Sequence, residues 1–118
     1  MDEKLYVVGA ISGVKNWEDK FLKIKTQLHN RGFTNVRTPI EYPKGLTQKE
    51  YMVLSCESVF WADKIIVTSG YESSKGTKAE IALAESYGLP VVYLHYERPI
   101  YKGVQDGCLR NKEKKGEK

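Results

Sequence analysis

The sequence predicts an α/β fold, a small Rossmann-like or flavodoxin-like parallel sheet with helices on both faces. Short apolar runs alternate along the chain with longer segments whose apolar residues recur at helical spacing. Within those short runs apolar and polar residues do not alternate, which is typical of parallel strands covered on both faces. The length of 118 residues suits one domain with a single sheet.

The first part of the chain supplies two strands and a helix. Residues 5–11, LYVVGAI, are apolar and rich in β-branched side chains, which indicates a buried strand. A helix is expected over residues 16–32, where Asn16 can cap the first turn. The second strand is expected over residues 34–38, TNVRT. The core-facing stripe of the helix is predicted to be Trp17, Phe21, Ile24 and Leu28.

A second helix is expected from Thr47 to about Trp61. Thr47 and Glu50 have the spacing of a capping box, in which each side chain satisfies a backbone N–H of the other residue. Five apolar side chains recur at helical spacing and predict the face that packs on the sheet. They are Met52, Val53, Cys56, Val59 and Phe60.

The rest of the pattern adds a strand over residues 64–70, a helix over 77–88 and a strand over 90–96. In a parallel sheet of this kind, ligands bind at the carboxyl ends of the strands, where the strand order reverses. The loops Gly9–Lys15 and Gly70–Gly76 follow two of the expected strands, and both carry glycines. We therefore expect the functional site between these loops.

The first glycine loop, GAISG at residues 9–13, supports two interpretations. Its backbone N–H groups and the following helix start could bind a phosphate. A tight turn with close packing explains the same glycines. The loop lacks the third glycine of a dinucleotide fingerprint, and no acid follows the second strand to hold a ribose. This makes NAD binding unlikely.

The second loop, SSKGTKAE at residues 73–80, also supports two interpretations. Thr77 and Glu80 have capping-box spacing, which would make Glu80 a helix-end residue. Alternatively, Ser74 and Gly76 lie at a strand's carboxyl end, where they could hold sugar hydroxyls while Glu80 supplies a carboxylate at the pocket.

Composition limits the partners. The formal charge is +4, but the last eight residues hold four Lys and two Glu, so they carry +2 and the other 110 residues carry +2. We expect residues 1–110 to form the single domain and residues 111–118 to be a disordered basic tail. Binding to a nucleic-acid polymer is unlikely without a clustered basic face. No apolar run is long enough to span a membrane, and Cys56 and Cys108 fit no zinc or redox motif. A cytoplasmic protein with no metal is expected.

Three segments together, YVVGAISG, WADKIIV and SSKGTKAEIALAESYGLPVV, resemble the nucleoside 2-deoxyribosyltransferase superfamily. The likeness is greatest to its small bacterial and phage branch and to the 2'-deoxynucleoside 5'-phosphate N-hydrolases, and it covers residues 5–95 with the segments in the same order. The resemblance implies an enzyme without a cofactor. It also implies a homo-oligomer, a dimer or higher, whose site is completed by a neighbour's C-terminal region, here residues 96–110.

The resemblance also implies roles for particular residues. Glu80 matches the family's nucleophile, Tyr6 its tyrosine on the first strand, and Ser74 and Gly76 the rest of the S-x-G-x-x-x-E motif. The family's loop that holds the 5'-phosphate of the nucleotide corresponds to Gly9, Ile11, Ser12 and Gly13.

One position departs from the family pattern. The hydrolases carry an Asp that assists the leaving base, eight residues before the position of Asp63, and here that position is Ser55. Glu57 cannot substitute, because two residues turn a helical side chain by about 200°. Cleavage is then slow, uses another acid, or has been lost. Asp63 itself matches an acid whose role is structural as often as functional.

The resemblance implies an N-glycosidase or deoxyribosyltransferase that acts on the base–sugar bond of a (deoxy)nucleoside 5'-monophosphate. A carboxylate beneath C1' stabilises the cationic transition state or bonds to C1', which is the role open to Glu80. The alternative is a non-catalytic nucleotide-binding protein, a sensor or sponge that uses the same pocket. Ser55 in place of the Asp favours this binder, whereas the retained Glu80 favours the enzyme.

Overall fold

The computed structural model describes residues 3–94, which contain seven regular elements in the predicted order. Residues 95–110, expected to include the end of the last strand and the intersubunit region, lie outside the described residues, as does the tail at 111–118. The strands are β1 (Lys4–Val8), β2 (Asn35–Arg37), β3 (Lys64–Val67) and β4 (Val91–Tyr93), and the helices are α1 (Trp17–Asn30), α2 (Gln48–Trp61) and α3 (Lys75–Ser86). Among residues 3–94, no helix is long and apolar enough to cross a membrane.

The four strands form one parallel sheet in the order β2-β1-β3-β4, which confirms the predicted fold class. Tyr6 on β1 lies beside Arg37 of β2 on one side and beside Ile65 of β3 on the other. Asp63 holds the start of this pairing, because its carboxylate accepts the Lys4 N–H at 2.9 Å. The strand order reverses between β1 and β3, so a crevice is expected at their carboxyl ends.

The side chains of β1 alternate between two apolar cores, because successive residues of a strand point to opposite faces. Leu5 and Val7 pack on the face covered by α1, and Tyr6 and Val8 on the face covered by α2 and α3. The predicted stripe of α1 is confirmed. Its buried members are Phe21, Ile24 and Leu28, with Trp17 packed against them.

The predicted core-facing side of α2 is confirmed at Val59 and wrong at Val53 and Phe60. Its buried residues are Ser55, Ser58 and Val59, whereas Val53 and Phe60 are 68% and 54% exposed. The reason lies on the sheet, where β1 directs the large and polar Tyr6 side chain toward α2. Small hydroxyl-bearing residues let the helix approach the sheet and give the phenol hydrogen-bond partners. Val53 and Phe60 are therefore turned outward, whereas Val59 stays in the core.

Of the two predicted N-terminal caps, on α1 and α2, the structure contains one. The capping box of α2 is confirmed, because Thr47 Oγ1 accepts the Glu50 N–H at 3.1 Å and Glu50 Oε1 accepts the Thr47 N–H at 2.8 Å. Asn16 occupies the cap position of α1 in a left-handed conformation with a φ of 58°, and its side chain makes no capping bond. The prediction that the Asn16 side chain caps α1 is therefore wrong.

Gly9 follows β1 directly and lies where β1 and β3 approach each other closely. A Cβ added there would overlap Thr68 Oγ1 and lie 3.2 Å from Phe21 Cζ. The close-packing interpretation of this glycine is therefore supported, whatever else the loop does. Gly76 differs, because its added Cβ would make ordinary contacts with Gln48 and Met52 at 3.5 and 3.6 Å.

These two glycines form a matched pair of substitutions. We expect Gly9→Ala to lower the free energy of unfolding by about 1–3 kcal/mol, because the core must shift to admit the methyl group. Gly76→Ala should raise it by about 0.5–1 kcal/mol, because alanine loses less conformational entropy in a helix. Urea denaturation of the two variants measures both changes. Equal effects at the two positions would contradict the packing described for Gly9.

Candidate active site

A cavity of about 660 Å³ lies at the carboxyl ends of β1 and β3, where the strand order predicts a ligand site. This volume is in the range of small-molecule sites. Both predicted loops contribute to its wall. Of the predicted site residues, the cavity is lined by Gly9, Ile11, Ser12, Ser74 and Gly76.

The start of α3 decides between the two interpretations of Glu80. The helix begins at Lys75, two residues earlier than predicted, and Ser74 caps it by accepting the Thr77 N–H at 3.1 Å. Thr77 therefore lies inside the helix, and the capping box predicted for Thr77 and Glu80 is wrong. Glu80 instead extends from the second turn of α3 into the interior, where it is only 1% exposed.

Three of the predicted residues meet in the interior, each from a different element. The Tyr6 hydroxyl of β1 donates a hydrogen bond to Glu80 Oε2 of α3 at 3.4 Å. The same hydroxyl lies 3.1 Å from Ser55 Oγ of α2. Tyr6 and Ser55 have no exposed surface. The fold thus brings together three residues to which the resemblance gives roles, Glu80 as the nucleophile, Tyr6 as the tyrosine of the first strand and Ser55 at the position of the Asp.

Sequence reasoning gave no role to a further tyrosine in this network. Tyr42 follows a short 3₁₀ turn at Pro39–Glu41, and its hydroxyl lies 3.0 Å from the Tyr6 hydroxyl and 2.6 Å from Ser58 Oγ. Arg37 Nη1 donates to Ser58 Oγ at 3.4 Å. Nothing in the local pattern around Tyr42 signals this contact, which depends on the path of the loop after β2.

The donors of this network can be ordered, because each hydroxyl carries a single proton. If Tyr6 donates to Glu80, then Tyr42 donates to Tyr6 and Ser58 donates to Tyr42. Arg37 donates to Ser58 and needs no proton in return. With Tyr42 donating to Tyr6, the hydrogen bonds run from the Arg37 guanidinium to the buried carboxyl group. The same Tyr42 proton has a second acceptor in the Leu54 carbonyl at 3.2 Å, and donation there interrupts this chain.

Tyr51 is the other residue that sequence reasoning left without a role. It lies on α2 at helical spacing from Ser55 and Ser58, so the three polar residues mark one face of that helix. This spacing was the available signal. The Tyr51 ring packs edge to face on the Tyr42 ring, with centroids 5.7 Å apart, and both residues line the cavity. Tyr42 and Tyr51 therefore line the cavity and also belong to the buried hydrogen-bond network around Tyr6, Ser55 and Glu80, which we call the buried network.

Burial controls the charge of the network. It raises the pKa of Glu80 to about 8, and the hydrogen bond from Tyr6 offsets only part of that rise. Burial also raises the pKa of Tyr6 and of Tyr51 far above the usual range, and the negative charge of ionised Glu80 adds to both shifts. At neutral pH the resting network is thus mostly uncharged, with the proton on Glu80.

The cavity and the buried network share Tyr42 and Tyr51, but the centre of the network is not exposed to the cavity. Glu80, Tyr6 and Ser55 do not contribute to the cavity wall, and neither does Gly13 of the predicted phosphate loop. Glu80 therefore lies behind the wall in this conformation. On the cavity side, Lys75 at the start of α3 adds a positive charge to the wall, next to the positive end of the helix. Among residues 3–94, no group of three or more His, Cys, Asp or Glu side chains is placed to hold a metal ion.

The raised pKa of Glu80 predicts a specific pH dependence of stability. The folded protein holds this proton up to about pH 8, whereas the ordinary value is 4.5, so the folded state binds the proton more tightly than the unfolded chain. The free energy of unfolding should therefore fall as the pH rises through that interval. Glu80→Gln cannot ionise at this position. Relative to that variant, the unsubstituted protein should lose about 3–5 kcal/mol of its free energy of unfolding across the interval.

Chemical denaturation of both proteins between pH 5 and pH 8.5 measures this loss, with Glu85→Gln on the exposed side of α3 as the control. The control should follow the unsubstituted protein. A constant stability difference between the unsubstituted protein and Glu80→Gln across the interval would contradict the buried, protonated Glu80.

Comparison with known families places the chain in one of them. Residues 3–93 match the family described as a domain of unknown function, DUF4406. A comparison with curated proteins finds no match. The matched region includes all four strands, all three helices and every residue of the buried network. The chain therefore belongs to the DUF4406 family.

Proposed function

We propose that the protein cleaves or transfers the base–sugar bond of a (deoxy)nucleoside 5'-monophosphate, with Glu80 as the nucleophile. One observation carries the proposal: a buried carboxyl group, held by Tyr6, lies directly behind the wall of a cavity at the carboxyl end of the sheet. The resemblance of the two glycine loops to the nucleoside 2-deoxyribosyltransferase superfamily supplies the substrate class.

The cavity offers different chemistry to the two ends of a nucleotide. The loop at Gly9–Ser12, the start of α3 and Lys75 offer backbone N–H groups and positive charge, which suit a phosphate. Trp17 and Ile40 also line the cavity and offer apolar surface that suits a flat base. A nucleoside monophosphate combines both requirements in one small molecule.

The proposed reaction uses the ionised form of Glu80. The carboxylate enters the cavity on substrate binding and attacks C1' as the C1'–N bond breaks, and the bonding electron pair leaves with the base nitrogen. Water then attacks C1' in a hydrolase, or a second base attacks in a transferase, and the C1'–O bond to Glu80 breaks to release the carboxylate. The attacking water or base gives up one proton, which restores the group that protonated the departing base. The departing base takes up one proton, and no cofactor takes part in these steps.

In the hydrolases that the chain resembles, an Asp assists the departing base, and the matching position here is Ser55. A serine hydroxyl is a far weaker acid than a carboxyl group, so Ser55 does not replace the Asp directly. We assign the donor to Tyr51, which lines the cavity and is coupled to the Glu80 charge. The phenol is protonated at neutral pH, so the donor form is present when substrate binds. Burial and the Glu80 charge raise its pKa, so Tyr51 is a weaker acid than the Asp of the hydrolases and we expect slow cleavage.

A second candidate is the non-catalytic nucleotide-binding protein. The observation in its favour is that Glu80 is only 1% exposed and lies outside the cavity wall, with Ser55 where the hydrolases have an acid. In a binder, Glu80 and Tyr6 would stiffen the wall without touching the ligand. The two candidates share the pocket and differ in whether the base is released.

Base release separates the candidates. Incubation with a panel of deoxyribonucleoside and ribonucleoside 5'-monophosphates should release free base, followed by chromatography. Glu80→Gln should reduce the rate at least about 1,000-fold because the nucleophile is gone, and Glu85→Gln should retain it. Tyr51→Phe should lower the rate about 100-fold, the scale of general-acid catalysis. Release should rise as the pH approaches 8, since the pKa of Glu80 is about 8 and only the ionised form attacks.

The outcomes that contradict the enzyme are equally defined. Release that persists in Glu80→Gln would rule out the nucleophile. Nucleotide binding measured by calorimetry, with no release from the unsubstituted protein, would replace the enzyme with the binder.

A further inference from the structure

The outward side of α2 carries an apolar surface that the packing of residues 3–94 does not use. Among the described residues, the large apolar side chains that remain exposed are four: Leu22, Val53, Phe60 and Tyr87. Val53 and Phe60 lie on α2, and Tyr87 lies at the end of α3, with exposures of 68%, 54% and 67%. Only Leu22, on α1, is elsewhere.

Two of these three exposed side chains on α2 and α3 are in contact. The Phe60 and Tyr87 rings meet edge to face, with centroids 5.1 Å apart, and so join the two helices. Single exposed apolar residues are ordinary on protein surfaces, whereas several gathered on one face mark interaction sites. The inner side of α2 is formed by Ser55, Ser58 and Val59, so Val53 and Phe60 lie outside the core of the described residues.

Charged residues on the same side of α2 indicate what covers it. Lys49 and Glu57 are both exposed and stand four residues before and four residues after Val53. With 100° per residue, Lys49, Val53, Glu57 and Phe60 fall within an arc of about 80°. We call this stripe, together with the adjoining Tyr87, the outer face of α2.

The stripe is complementary to itself. If a second α2 lies antiparallel on the first, with a two-fold axis at Val53, then Lys49 of each copy faces Glu57 of the other. The apolar Val53 side chains meet at the axis. A parallel arrangement would place like charges opposite each other. The placement of opposite charges at equal distances from an apolar centre therefore favours a copy of the same chain over an unrelated partner.

We propose that the outer face of α2 binds a second copy of the chain, with the two α2 helices antiparallel across a two-fold axis at Val53. The interface is built from described residues of α2 and α3 and does not depend on the proposed function. It is also separate from residues 96–110, which the family resemblance associates with subunit contact.

The apolar centre is tested by sedimentation velocity on the full chain across a concentration series. The unsubstituted protein should show a monomer–dimer equilibrium. Val53→Glu places two like charges at the axis and should raise the dimer dissociation constant at least about 10-fold. Leu22→Glu introduces the same charge at the exposed apolar residue of α1 and should leave the constant unchanged. Both positions are exposed, and circular dichroism verifies that each variant is folded.

Charge reversal tests the orientation. Lys49→Glu and Glu57→Lys should each raise the dissociation constant about 10-fold, because each creates two like-charge contacts in the dimer. The double variant restores opposite charges and should return the constant to within about threefold of the unsubstituted protein. A double variant as weak as the single ones would overturn the antiparallel pairing. A protein that stays monomeric at every concentration would overturn the proposal.

Discussion

The hydrogen bonds of the Tyr6 hydroxyl are the constraint on which the rest of this structure depends. Tyr6 lies on a central strand with no exposed surface, so its phenol must find partners inside the protein. The partners come from α3 and α2, as Glu80 and Ser55, and from the loop after β2, as Tyr42. One polar group on β1 therefore sets the inner side of α2, the position of a loop and the depth of the carboxyl group.

This arrangement also explains the two surfaces with which we associate function. The inner side of α2 carries two serines because it meets Tyr6, so Val53 and Phe60 face outward and are available to a second copy of the chain. Next to the cavity, the same burial raises the pKa of Glu80 to about 8. A protonated carboxyl group next to a ligand site is costly to ionise, and displaced pKa values of this kind are concentrated at functional sites.

The sequence was sufficient for the features that depend on local pattern. The order of strands and helices, the stripe on α1 and the capping box at Thr47 follow from short-range spacing, and they are present. The position of the cavity follows from parallel topology. The start of α3 was misplaced because Thr77 and Glu80 have the spacing of a capping box, whereas the cap that forms is Ser74, which accepts the backbone N–H of Thr77 and needs no particular side chain there.

The remaining features depend on contacts between distant segments. The apolar residues of α2 have helical periodicity, but periodicity does not say which side meets the sheet, and a tyrosine 49 residues away from Ser55 decides it. Tyr42 joins the network only through the loop after β2. The resemblance predicts Glu80 to be a pocket carboxylate, but its burial outside the cavity lining is a tertiary property.

The most direct test of the central claim is the titration of Glu80 itself. In protein carrying ¹³C-labelled glutamate carboxyl groups, the Glu80 signal is the one that Glu80→Gln removes, and its chemical shift reports ionisation. A midpoint near 8 would agree with a carboxyl group buried beneath Tyr6. A midpoint near the ordinary 4.5 would mean that solvent reaches Glu80, and it would contradict the buried network from which both the site and the outer face of α2 are derived.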